Sequence, residues 1–138
     1  MITFKLKNGL EGYNMTKDFR QIYLSSGAQD SHDSSAIHIA GFENGSIMCC
    51  GRMYAADSMR FIIDNVLVTP ENRMQYVGDT ILRALEDKAV QLMHSFITVF
   101  PTTESREFFL HEGYAGDDSM TKDLTKVRPC RGCGGENK

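Results

Sequence analysis

Residues 59–92 decide how this chain folds: MRFIIDNVLVTPENRMQYVGDTILRALEDKAVQL. Phe61 to Val68 is apolar and β-branched, the pattern of a strand buried on both faces. Pro70 ends it, because proline has no N–H for a ladder. A short loop spans Asn72 to Gly78. From Tyr76 to Leu92 the spacing becomes helical. Ile81, Leu82, Leu85, Ala89 and Leu92 fall on one stripe, and Asp79, Arg83, Glu86 and Asp87 on the other. Asp79/Arg83 and Arg83/Asp87 are i,i+4 pairs on that outer face. A strand, a tight loop and a helix N-terminus together form an anion site. Uncapped N–H groups point out at the loop, and the helix dipole adds partial positive charge.

The loop residues sharpen this. Pro70-Glu71-Asn72-Arg73-Met74-Gln75-Tyr76-Val77-Gly78 resembles, without a gap, the pyrophosphate loop of the GNAT acetyltransferases, Pro-Glu-x-Arg-x-x-Gly-x-Gly after an apolar strand. Arg73 and Gly78 match, and Tyr76 replaces the first glycine. A shifted reading, Gln75-x-x-Gly78-x-Thr80, fits the looser pattern. The ungapped one keeps Pro70 and Ala84-Leu85-Glu86 in register and is preferred. Phe108-Phe109-Leu110-His111-Glu112-Gly113-Tyr114 resembles a later motif of the same family, Phe-Tyr-x-x-x-Gly-Phe. The resemblance covers residues 59–124 and, more weakly, the hairpin before them.

The totals are those of one globular domain. The chain has 138 residues, enough to bury its own core, with 41% apolar and 24% charged residues. A net charge of −3 argues against nucleic acid as a partner. No apolar run reaches the length of a membrane span, so no membrane is expected. The N-terminus lacks a signal-peptide pattern, which leads to a cytoplasmic expectation. Four cysteines do not make a disulfide framework at this size.

Taken in order, Ile2, Phe4 and Leu6 alternate as a first strand, broken by Asn8-Gly9 and Gly12. Thr16 caps a short helix to about Leu24. Ser25 to Ser35 is polar and reads as a loop. Ile37 and Ile39 alternate, then Asn44-Gly45 marks a two-residue hairpin. Ile47 to Tyr54 is the partner strand. After the central helix come a strand at His94 to Phe100, a short helix at Glu104 to His111 ended by Gly113, and a last hairpin at Met120 to Leu124. The order β-α-β-β-β-α-β-α-β-β predicts an α/β (α+β) fold with a mixed, mostly antiparallel sheet and one parallel crossover. It is also the order that the GNAT resemblance implies, less one N-terminal helix. Residues 1–125 form the domain, and 126–138 read as a flexible Gly/Cys tail.

The resemblance implies an acyl-CoA site with acetyl-CoA as cosubstrate. The pantetheine arm would lie along the central strand at Val66, Leu67 and Val68, where the strand is expected to splay from its neighbour. Residues Arg73, Met74, Gln75, Tyr76, Val77, Gly78 and Asp79 would hold the pyrophosphate at the loop and first helical turn. The acceptor would be a small-molecule amine or a peptide amine, attacking the thioester directly. A homodimer stays open. The family's tyrosine, which often protonates the leaving thiolate, falls at Phe109, which has no proton to give. A coenzyme thiol has a pKa of about 8.5, so its thiolate can leave unaided, at a cost of roughly a hundredfold or more in rate.

Asp64 interrupts an apolar strand. It is the candidate general base, or orienter of a water, and the preferred alternative is a strand-end carboxylate bonded to backbone or to an arginine. His38 reads as structural or exposed. His32 with Asp30 and Asp33 reads as a solvated loop rather than a metal cluster. Cys130-Arg-Gly-Cys133 lacks the second pair that zinc needs, and Cys49 and Cys50 point to opposite faces of a strand, so no metal site is expected. A redox CxxC normally opens a helix, which Gly132, Gly134 and Gly135 oppose. The leading function is acetyl transfer to an amine. The second is a GNAT-fold protein that binds CoA or a partner without efficient catalysis. A metal or redox module on the tail cysteines is third.

Overall fold

The computed structural model of the chain describes residues 1–24, 29–72 and 76–126. The elements are β1 (Thr3–Asn8), α1 (Gly9–Tyr23), β2 (Ile37–Glu43), β3 (Ser46–Ala55), β4 (Arg60–Val68), α2 (Val77–Gln91), β5 (Phe96–Val99), α3 (Arg106–His111), β6 (Ala115–Gly116) and β7 (Met120–Asp123). Short 3-10 turns occupy Pro70–Asn72 and Leu124–Lys126. The strands form one sheet in the order β1-β2-β3-β4-β5-β7-β6. β4 and β5 run parallel, and every other neighbouring pair is antiparallel. This is the element order and sheet type expected from the sequence.

Alternation along β2 separates the two faces. Ile39 faces α2, as shown by Gly51, whose added Cβ would meet Ile81, Ile39 and Leu85. His38 faces α1, where Gly12 lies against its ring. The α2 face holds the main core. Ile81, Leu82, Leu85 and Ala89 pack there with Ile39, Met53, Phe61, Ile63, Ile97 and Val99. Each of the large side chains contributes about 1.5–3 kcal/mol of burial, and Ala89 about 0.8 kcal/mol. At the β2–β3 turn, Asn44 and Gly45 have φ of 54° and 83°, as a type I′ hairpin requires.

Several boundaries and burials differ from expectation. α1 begins at Gly9, not at Thr16. Gly9 donates its N–H to Ala36 O (2.8 Å), which turns the chain straight from β1 into the helix. Thr16 does not cap. It is buried one turn and more inside α1, and its hydroxyl donates to Gly12 O (3.2 Å). Gly12 does not break the structure either, because it lets the helix lie close on His38. The central strand is not buried on both faces: Phe61 and Ile63 are buried, while Ile62 and residues 64–68 are half-buried. Glu86, expected outside, is buried, and Leu92, expected inside, is exposed. Glu86 turns inward because polar groups receive it. Tyr114 donates its hydroxyl to Glu86 Oε2 (2.8 Å), and Lys122 Nζ lies 3.1 and 3.2 Å from the two oxygens. Of the two expected surface pairs, only Asp79/Arg83 forms (2.9 Å) among the described residues. Phe100 is exposed beyond the end of β5. The Cys130/Cys133 pair and the proposed tail boundary lie outside the described residues, apart from 126.

The α1–β2 contact gives a test. A Cβ on Gly12 would stand 2.5 Å from Lys7 O and 2.5 Å from His38 Cδ2. Lys7 O is backbone and cannot rotate away. Gly12→Ala should therefore lose about 1–3 kcal/mol of stability, against the ~1 kcal/mol that alanine normally gains in a helix. The expected result is a lower urea midpoint at an unchanged slope. A midpoint equal to or above wild type would show that α1 can move off the sheet at no cost.

Candidate functional site

β4 carries the first feature of the site. It pairs with β5 only at Arg60↔Phe96, Phe61↔Ile97 and Ile62↔Thr98. Among the described residues, no ladder pair joins β4 to β5 beyond that point. β4 itself continues to Val68 beside β3. β5 itself ends at Val99, one residue past Thr98, so the β4–β5 ladder stops where that strand ends. On its other side β4 carries a register slip against β3. Between Cys50↔Leu67 and Arg52↔Asp64, β3 advances two residues and β4 three. Asn65, at φ +52°, is in the stretch that takes up the extra residue. Asparagine tolerates that region better than most residues, and such a bulge bends and twists its strand.

The second feature is the start of α2, reached from β4 through the turn at Pro70–Asn72. Arg73, Met74 and Gln75 lie outside the described residues. Tyr76 is the N-cap, at φ 60° and ψ 11°, with its side chain largely exposed. It takes the left-handed conformation that a glycine would adopt without cost, so the replacement keeps the turn and adds strain. Val77 is buried and anchors the first turn. A Cβ on Gly78 would only touch the Phe108 ring, at 3.4 Å. Asp79 accepts from Arg83 Nε (2.9 Å). A carboxylate in the first turn is favourable to the helix dipole, and the guanidinium offsets its charge locally.

Asp64 stands just past the last β4–β5 pair. Both its oxygens are taken by Arg52, from Nε (2.8 Å) and Nη2 (2.7 Å). The arginine-bonded alternative for Asp64 is thus the arrangement seen. Arg52 Nη1 also donates to Asp30 (2.7 Å) and to Asp33 (3.0 Å). Arg20 of α1 closes the network on Asp33, at 2.8 and 3.3 Å. His38 Nε2 lies 3.2 Å from Asp33 O. Asp33 is fully buried, so the 29–35 segment is not simply a solvated loop, and Asp30, His32 and Asp33 do not stand free in water. Burial pushes the Asp33 carboxyl up, but hydrogen bonds from Arg20, the Asp30 backbone and Arg52 outweigh it and hold the group below its ordinary value. Asp30 is lowered in the same way, burial opposing the stronger pull of Arg52 and the His32 backbone. Burial keeps His38 below its usual pKa, with Asp33 opposing. His32 stacks on Tyr54 at 3.9 Å.

Phe109 is buried in the α2-side core, edge-on to Phe108 (5.1 Å) and Tyr114 (5.5 Å). Beside it, burial and then the charge of Glu86 push the Tyr114 phenol well above the normal range, so it stays a hydrogen-bond donor. Cys49 and Cys50 point to opposite faces as expected. Burial raises their thiols to about 11 and about 12, so neither is a nucleophile at neutral pH.

The network around Arg52 was not read from the sequence, although a signal for half of it was there. Arg52 and Asp64 are isolated opposite charges in two apolar strands joined by a turn. Counting back from Ala55↔Phe61 sets Arg52 opposite Asp64. Arg20 and Asp33 had no such cue, because their contact joins a helix to a loop.

The sequence matches no family model. Solved structures do match in fold. An acyl-CoA N-acyltransferase from Pseudomonas aeruginosa superposes with a TM-score of 0.74 at 13% identity, over 88% of this chain and 99% of that one. An acetyltransferase of the GNAT family from Staphylococcus aureus gives 0.67 at 9% identity, over 88% and 99%. N-acetylglutamate synthase from Neisseria gonorrhoeae, complexed with coenzyme A and N-acetyl-glutamate, gives 0.69 at 15% identity, over 88% of this chain and 35% of that longer one. The chain has the GNAT fold.

Two measurements check the local physics at α2. Tyr76→Gly removes the left-handed strain and loses little packing, so it should stabilise the fold by about 1 kcal/mol, read as a higher urea midpoint. A lower midpoint would mean that the tyrosine ring contributes more than the strain costs. Glu112 provides the second. Burial first, and then the hydrogen bond and charge of Asp79, push its carboxyl up to about 6. A raised carboxyl binds its proton more tightly in the folded state. Its stabilising contribution is present at low pH and is lost as pH rises from the ordinary 4.5 through about 6. Asp79 is shifted down, so its own dependence lies below that window. Glu112→Gln should therefore gain in melting temperature relative to wild type between pH 4.5 and 6.5, then stay level. A gap that does not change with pH would overturn the assignment.

Proposed function

We propose that this protein is an acyltransferase that moves an acetyl group from acetyl-CoA to a primary amine, by direct attack in a ternary complex. The observation that carries the reading is that β4 runs on to Val68 after its pairing with β5 ends at Ile62, with the start of α2 following from the far end of the same strand. An acyl-CoA is an extended arm ending in a diphosphate, and this arrangement provides for both parts. Backbone along Val66, Leu67 and Val68 takes the arm in the opening between the strands. The first turn of α2, with Arg73, Met74, Gln75, Tyr76, Val77, Gly78 and Asp79, takes the diphosphate through N–H groups and the helix dipole. The left-handed turn at Tyr76 supports this assignment, because it is the conformation for which such a loop uses glycine. Acetyl-CoA supplies an activated acyl group on a thiol that can depart without help. The fold neighbours include one complexed with coenzyme A, which supports the same class of ligand.

The chain's own residues then have limited tasks. The strands hold the thioester at the mouth of the opening, and the acceptor comes from the α1 side, where Asp64 and its arginine lie. Phe109 packs in the core near the position of the family's proton donor and offers only an apolar surface. That favours thiolate departure without a general acid. It also sustains a second reading, a CoA-binding protein of low catalytic power.

Acetyl-CoA should raise the melting temperature, since a ligand at a hundred times its Kd adds about 2.7 kcal/mol to the folded state. Gly78→Glu should abolish that shift by putting bulk and negative charge at the diphosphate. Gly78→Ala is the folding control, because its Cβ meets Phe108 at ordinary contact distance. A full shift in Gly78→Glu would put the ligand elsewhere. Thiol release over a panel of amines separates the enzyme from the binder.

A further inference from the structure

We infer that Asp64 is the anionic seat on which the acceptor docks as its ammonium, the proton then passing to solvent before the free amine attacks, and that Arg52 is the residue that positions Asp64. This rests on the acyl-transfer reading, which supplies the acceptor; the clamp and its charge balance are independent of it. Asp64 lies on β4 two residues past the last pair with β5. Its side chain turns toward α1, away from the face packed by α2. The guanidinium fork of Arg52 takes one lone pair from each oxygen at 2.7 and 2.8 Å. The remaining lone pairs are still available, and the Asp64 side chain is 32% exposed. A carboxylate gripped in this way is held in one orientation, with its free lone pairs directed at a partner with N–H groups.

The charges around it lead to the same ligand. Among the described residues, Asp30, Asp33 and Asp64 pair with Arg20 and Arg52, and burial holds His38 toward its neutral form. Three negative charges meet two positive ones. Both guanidiniums are nearly wholly buried, at 2% and 4% exposure, while Asp30 and Asp64 reach solvent at 46% and 32%. An approaching molecule therefore meets carboxylate and not arginine. Surplus charge in a partly buried network is costly, and a ligand cation offsets it. The fork needs a planar guanidinium. Lysine in its place would keep the charge and lose the two-point grip. Arg20, through Asp33, holds Arg52 against α1, so the direction of Asp64 is set by the helix as well as by its own strand.

The test measures the seat directly. Wild type is titrated by calorimetry, without coenzyme, against 1,4-diaminobutane, n-butylamine and uncharged n-butanol. Acetyl-CoA binding is followed separately by thermal shift. The amines should bind, the alcohol should not, and added salt should weaken the amines. Asp64→Asn should weaken amine binding at least tenfold and leave the acetyl-CoA shift intact. In turnover it should raise KM for the amine at least tenfold with kcat close to wild type and an unchanged pH profile. Arg52→Lys should also raise KM, by a smaller factor. Asp64→Asn carries the decision, because Arg52→Lys can also perturb folding. Equal amine affinity in wild type and Asp64→Asn overturns the inference, as does wild-type binding of amine no tighter than of butanol. A fall in kcat at constant KM, with loss of the acidic limb of the pH profile, overturns it in favour of a general base. Failure of wild type to bind acetyl-CoA would instead sink the acyl-transfer reading, with the amine titrations still deciding whether the seat exists.

Discussion

The guanidinium of Arg52 is the constraint around which the α1 side of this protein is arranged. One nearly buried cation bonds to carboxylates on β4 and on two positions of the chain between α1 and β2. Burying such charges costs several kcal/mol per ion unless each is well paired. The network meets this condition by placing four Arg52 hydrogen bonds on three carboxylates and by bringing Arg20 onto Asp33 from α1. Removing a single partner would leave a buried charge uncompensated, which typically costs about 3–5 kcal/mol. The segment before β2 is therefore fastened at Asp33 although it has no apolar periodicity. α1, in turn, can lie close to the sheet because Gly12 gives no side chain to the contact with His38.

The same strand that anchors this network also opens the sheet. β4 loses β5 after Ile62 and acquires an extra residue against β3 only two positions later. A bulge of this kind bends and twists the strand that carries it. The consequence is a strand with two roles. Its first half, at Phe61 and Ile63, is core, and its second half is half-buried and leads to the turn before α2. Asp64 lies at the change from one to the other.

On the opposite face a smaller polar thread performs a comparable task. Glu86 is buried in α2 because Tyr114 and Lys122 supply its hydrogen bonds, tying the helix to the chain after α3 and to β7. Phe109 sits within that frame, edge-on to Tyr114. The stretch from Phe108 to Tyr114 thus acts here as packing.

By itself the sequence determined the order of the elements, the mixed sheet with one parallel pair, the hairpin at Asn44-Gly45 and the helix stripe of Ile81, Leu82, Leu85 and Ala89. These are short-range properties: a period of two or 3.6, a proline that ends a ladder, a turn that needs positive φ. The sequence also flagged Asp64, as a charge that an apolar strand must explain. The β3–β4 register sets Arg52 opposite it, and tertiary structure alone decided the rest of the network. Arg20 is 13 residues from Asp33, and such a contact follows from packing a helix and a loop on a sheet, not from any local pattern. The start of α1 was misread for the same reason. Gly9 and Gly12 look like breakers when only propensity is counted, yet Gly9 supplies the positive φ at which the helix starts and Gly12 allows close approach to β1 and β2. Glu86 looked solvent-facing on a helical wheel, because a wheel cannot show that a tyrosine and a lysine from the far end of the domain will come to meet it.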